Sequence, residues 1–209
     1  DGVGTDGSLA LVKSGTGVQV MSGDNTYSGG TTINAGTLVT GGVGSGQVVN
    51  NGTLIINRSD ALSNSNVISG TGTLTKEGSG LWTVTGVNTY TGATQLKGGL
   101  IGISAISAFG ATSEININGG GIQWNTAADI STLPVKIEGA STFHTVVDVT
   151  LANSIGNSGA GTLTKTGTGT LTLGGANTYM GNTTVNAGNL SIINTAGSAT
   201  GSGNVSISS

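Results

Sequence analysis

A 30-residue phrase occurs three times in this chain without a gap. It reads "LALVKSGTGVQVMSGDNTYSGGTTINAGTL" at 9–38, "GTLTKEGSGLWTVTGVNTYTGATQLKGGLI" at 72–101 and "GTLTKTGTGTLTLGGANTYMGNTTVNAGNL" at 161–190. Lys13, Lys76 and Lys165 precede Tyr27, Tyr90 and Tyr179 at one constant spacing, and these are all the tyrosines of the protein. Repetition of this kind constrains the fold more than local propensity does, because a repeat that cannot bury its apolar face alone must stack on its neighbours. Copies begin at positions 9, 72 and 161. With a structural coil of about 21–22 residues, those intervals are roughly three and four coils, and the whole chain makes about nine or ten.

Alternation sets the type of coil. Leu11, Leu74 and Leu163 share one aligned position; Met21, Val84 and Leu173 a second; Ile33, Leu96 and Val185 a third; Leu38, Ile101 and Leu190 a fourth. Each is flanked by Thr, Ser, Asn or Gly, so one face of a short strand points inward and the other is wet. Strand-like runs also lie between the copies, as in "GTLIIN" (52–57), "EININ" (114–118) and "PVKIE" (134–138). Thr and Val stiffen the chain toward pleated backbone, and Gly every few residues breaks any helical stretch. Only "SAISAF" (104–109) and "NTAADIS" (125–131) read as non-strand, either loops or a single turn. Gly and Asn supply the corners, and Asn25, Asn88 and Asn177 are expected at one recurrent corner, bonding to backbone or to adjacent coils. The predicted fold is all-β: a right-handed parallel β-helix, with rungs about 4.8 Å apart and a length of roughly 45–50 Å.

Composition excludes several functions. Forty Gly, one Pro and 7% charged residues argue against an ordinary helical or α/β enzyme, and the alternating pattern argues against disorder. Lys13, Arg58, Lys76, Lys97, Lys136 and Lys165 are dispersed along a chain of net charge −3, which is no nucleic-acid footprint. No apolar run is long enough for a membrane-spanning helix. Cysteine is absent, which is compatible with export of a chain that cannot cross-link on the way.

The shared skeleton "K.G.G…..G.NTY.G.T" resembles the passenger-associated transport repeat, also called the autotransporter-associated β-strand repeat, of bacterial type V secreted proteins. Its positions here are Gly15, Gly17, Asn25, Thr26, Tyr27 and Gly29; Gly78, Gly80, Asn88, Thr89, Tyr90 and Gly92; and Gly167, Gly169, Asn177, Thr178, Tyr179 and Gly181. Copy two departs from the pattern by placing Lys97 where the others have Asn34 and Asn186, and copy one opens "LALVK" instead of "GTLTK". The resemblance implies a β-helix displayed at the bacterial surface or secreted, after passage through the periplasm and an outer-membrane translocator barrel. It implies support of export and folding rather than catalysis. The expected organisation is a single β-helix segment over residues 1–209, part of a longer passenger, with adhesion to itself or to a host or cell-surface ligand as the leading role. A polysaccharide-active β-helix enzyme and a passive spacer for another effector domain are the alternatives.

No cofactor or metal signature emerges. Carbohydrate cleavage needs converging carboxylates, and among the nine acids only Glu138 and Asp148 fall in neighbouring strand candidates, where a coil of that length puts them on different faces. His144, the lone histidine, has Ser141 and Asp148 nearby in sequence, but a triad requires a base and an oxyanion hole in place, so a solvent-facing strand histidine is the expectation. "DGVGTDGSL" (1–9) echoes one calcium-binding nonapeptide, and "GGVGSG" (41–46) lacks the Lys-Ser/Thr of a phosphate loop; both read as turns. Trp82 aligns with Gln19 and Leu171, which favours the surface or an edge, with a core filler as the alternative. Thr-x-Thr pairs at 73–75, 162–164 and 170–172 read as solvated strand faces.

Overall fold

The computed structural model describes residues 9–156 and 159–208. Short strands follow one another along the chain, and each pairs in parallel with the strand one coil before and one coil after. Three walls result. The first carries Leu11–Lys13, Thr31–Ile33, Val48–Asn50 and Ile68–Ser69 and, after a stretch without strands, Val149–Leu151, Thr170–Leu173 and Asn189–Ile192. The second runs from Val18–Met21 through Thr37–Thr40, Thr53–Asn57, Thr73–Glu77, Thr94–Leu96 and Ile115–Ile117 to Val135–Ile137. The third runs from Leu62–Asn64 through Leu81–Val84, Leu100–Ile103, Gly121–Trp124, Ala140–Thr145, Thr162–Thr166 and Thr183–Val185 to Val205–Ile207. The chain visits the walls in one order on every coil, giving a parallel β-solenoid of about 10 turns.

Coils are less uniform than the even period read from the sequence, and several are shorter. Thr37 already meets its register partner at Thr53, Leu11 meets its own at Thr31, and Ala140 reaches Thr162 only after the longest path of the three. Corner loops absorb the difference, because the strands themselves must keep hydrogen-bond register. The phase of the copies follows. Leu11 to Ile68 is three coils on the first wall; a little further along, the chain has turned onto the second wall and reaches Leu74. Leu74 leads up the second wall to Val135 and to Gly156, whose N–H bonds Val135 O at 2.8 Å, before Leu163 appears on the third wall. Each copy therefore starts one wall further round the rod than the copy before it.

The interior is a stack of apolar columns. Leu38, Leu54 and Leu74 are register partners on the second wall and are at most 1% exposed; each such side chain contributes about 1.5–3 kcal/mol relative to leaving it in water. The four sets of aligned apolar residues all point inward, with Leu11, Met21 and Leu190 only half-buried in the outermost described coils. "SAISAF" forms one 3-10 turn, Ile106–Phe109, whose Phe109 enters the core, and 125–131 is a loop. Trp124 packs edge-on to Phe143, with centroids 5.0 Å apart, and its Nε1 donates to Ala128 O at 2.9 Å.

Trp82 is the core filler, not the surface or edge residue that its alignment column favours. It is 1% exposed, between register partners Leu62 and Ile101. Gln19, the register partner of buried Leu38, is exposed in the first described coil, whereas Leu171 is fully buried.

Candidate functional site

Each repeat builds the same device between coils. Period-two alternation puts Lys76 on the same side of its strand as Leu74, and its register partners are Ile56 and Leu96. The ammonium therefore lies inside the rod, with Lys76 1% exposed. Its Nζ donates to Glu77 O at 2.6 Å and Gly78 O at 2.9 Å in its own corner, and to Gly98 O at 3.3 Å in the next coil. Lys165 does the same with Thr166 O, Gly167 O and Ala187 O, each at 2.9 Å. Lys13 completes the set with Ser14 O at 3.0 Å, Gly15 O at 2.7 Å and Ala35 O at 3.2 Å. Three ammonium protons meet three carbonyls, and none of the three lysines has an ion pair among the described residues. Burial pushes Lys76 down to about 8, against a smaller upward pull from Glu77, and pushes Lys165 down as well.

Glycine makes room for the cation. Gly78 has φ +70°, where an L side chain is strained. Gly99, in the next coil, has φ +57°, and a Cβ there would lie 2.4 Å from Gly80 O and 2.6 Å from Gly78 O. Gly15 and Gly167 share the left-handed backbone of Gly78. Gly80, Gly92, Gly169 and Gly181 instead sit where a Cβ would meet a carbonyl of the coil below within 2.5 Å, whereas Gly17, in the first described coil, meets nothing within 4 Å. Gly29 donates its N–H to Leu9 O at 3.0 Å.

The Asn-Thr-Tyr segment crosses the wall that has no strand in that coil. Asn and Tyr point inward, and Thr26, Thr89 and Thr178 are exposed. Asn88 Oδ1 accepts from Ile68 N at 2.8 Å, and its Nδ2 donates to Ala108 O at 2.7 Å, so one amide joins the coils before and after its own. Asn177 repeats this between Ile155 N, at 2.8 Å, and Ala199 O. Asn25 donates to Thr40 Oγ1 at 2.9 Å and Gly42 O at 2.7 Å. Tyr90 and Tyr179 are 0% exposed, while Tyr27 is half-buried. Their hydroxyls bond to Thr94, Thr183 and Thr31 Oγ1 at 2.8, 2.8 and 2.6 Å, and burial raises the phenols of Tyr90 and Tyr179.

The other candidates do not converge. Ser141 points inward at 1% exposure, while His144, on the opposite face of the same strand, pairs its Nδ1 with Thr166 Oγ1 at 3.0 Å. Exposed Asp148 accepts from Thr170 N at 2.7 Å, and exposed Glu138 lies beyond the second-wall strand, one wall before His144. No group of three or more His, Asp or Glu side chains suited to a metal occurs among the described residues. "DGVGTDGS" lies outside them. In "GGVGSG", Gly44 and Gly46 lie where a Cβ would meet backbone of the coil below, Tyr27 O at 1.8 Å and Gly30 N at 2.3 Å. Thr142, Thr164, Thr184 and Ser206 form one outward column of the third wall, with Ser206 Oγ 3.2 Å from Thr184 Oγ1. Among the described residues no helix is long and apolar enough to cross a membrane, which says nothing of β-barrels.

The buried lysines were missed by sequence reasoning, although a signal existed. Each lies two places after an inward leucine and two before a glycine, in all three copies. Taken by residue type, they count as surface charge; taken by alternation, they face in.

Fold and site together define a structural rod: a parallel β-solenoid whose repeated element ties coil to coil. The family model Passenger-associated-transport-repeat matches at residues 11–39, 74–101 and 163–192. The chain carries that repeat three times, on the coils of a parallel β-solenoid. Comparison with curated proteins and with solved structures found no match.

Proposed function

We propose that this segment is a folding scaffold for export that also presents an adhesive, self-associating outer surface. The observation that carries the reading is the threefold match to the passenger repeat on a rod whose coils interact only with their neighbours. Such a chain gains stability coil by coil as it emerges, so folding outside the membrane favours outward movement. The repeat implies delivery to the cell surface or secretion, and a translocator as partner in the parent protein. Its outer walls are rows of Thr, Ser and Asn with few charges, which permits many weak hydrogen bonds to a like surface without strong repulsion.

Sedimentation of the purified segment over a concentration series, at low and high salt, tests the adhesive part. Reversible association that weakens when Thr164 and Thr184 are replaced by Lys supports it. An elongated monomer at every concentration leaves a spacer. The export part is tested by fusing the segment to a translocator barrel and measuring surface exposure with the repeats intact or scrambled. Equal exposure removes the export role.

A further inference from the structure

We infer that the carbonyl cage in each repeat is a cation site whose resident ion is the repeat's own lysine, and that this tethered cation locks the coils of the repeat together. The cage has two halves. Glu77 O and Gly78 O come from the corner that follows Lys76, and Gly98 O comes from the next coil, so the site is complete only once both coils are in place. The same division holds for Lys13 with Ala35 and for Lys165 with Ala187. Without the ammonium, three carbonyls converge in an interior lined by Ile56 and Leu96 and repel one another. A buried acceptor stripped of its donor loses its full solvation.

Asn88 extends the lock by one coil in the other direction, through Ile68 N and Ala108 O. One repeat thus engages three successive coils through side chains, beyond the strand ladder that every coil has. Because each copy begins one wall further round, the three lysines stand on the first, second and third walls. The repeats are therefore local maxima of stability distributed around the rod. This holds whether or not the segment is exported.

The test is amide hydrogen exchange on the full 209-residue chain, comparing Lys76→Met with Lys97→Met, a change at an exposed position. In Lys76→Met, local opening across residues 72–101 is expected to rise roughly a hundredfold, as suits the loss of charge-assisted hydrogen bonds with acceptors left orphaned. Residues 161–190 stay unchanged, because solenoid coupling is between neighbours. Lys97→Met changes neither region. Should Lys76→Met fail to fold, Lys76→Ala supplies a second arm, since the truncated atoms correspond to n-propylammonium. Added n-propylammonium restores protection at 72–101, and tetramethylammonium, which has no N–H, does not. Less than about a twofold change in Lys76→Met, a uniform loss along the chain, or equal response to the two ammonium ions would overturn the inference.

Discussion

Interior positions that look alike by residue type differ in their hydrogen bonding. Trp82 and Trp124 are both buried, yet Trp124 Nε1 has Ala128 O and Trp82 Nε1 has no partner among the described residues. Removing an unsatisfied donor relieves a desolvation penalty that offsets lost packing. Trp82→Phe is therefore expected within about 1 kcal/mol of the parent, and Trp124→Phe roughly 1–3 kcal/mol below it. Equilibrium denaturation of the two variants measures the difference, and equal losses would count against the assignment.

At the scale of the element, the corner decides. Gly99 combines positive φ with carbonyl oxygens of the coil below inside contact distance, whereas Gly17 has ordinary φ and open space. Gly99→Ala is expected to destabilise by about 2–4 kcal/mol, and Gly17→Ala to fall within about 0.5–1 kcal/mol of the parent. Thermal unfolding followed by circular dichroism ranks them. The same corners make stability depend on pH. Lys76 is held down at about 8 in the fold against 10.5 unfolded, so between those values the unfolded chain binds more protons and stability rises with pH. Lys165 acts in the same direction. Tyr90 and Tyr179 oppose it above their ordinary 10.0, where the unfolded chain loses protons that the folded one retains. Denaturation midpoints should climb from about pH 8, turn over above about pH 10, and climb less in Lys76→Met.

For the whole molecule, register makes a complete coil the unit of change. Val48 and Ile68 are partners on the first wall, so deleting residues 48–67 joins Gln47 to Ile68 at an equivalent place. That deletion is expected to keep cooperative unfolding, with a midpoint within about 5 °C of the parent, because only neighbour interfaces are exchanged. Deleting 58–67 moves every later strand to a different wall and is expected to abolish the transition. Calorimetry of both deletion variants decides, and survival of the half-coil deletion would contradict the three-wall arrangement.

The repeat, the inward columns through Leu74, Ile101 and Leu163, and the parallel solenoid all follow from the sequence, because period-two alternation and recurrent corners are local and survive without knowledge of neighbours. Tertiary structure alone decided the length of each coil, since Thr37 finds its partner as early as Thr53 while Ala140 must run on to Thr162, and loop length is set by what the strand ladder leaves over. From that came the one-wall advance between copies, which the starting positions 9, 72 and 161 do not disclose by themselves. The place of Lys76 was also decided there. An ammonium stays in an apolar interior only where every proton finds an acceptor, and its third acceptor, Gly98 O, belongs to the next coil.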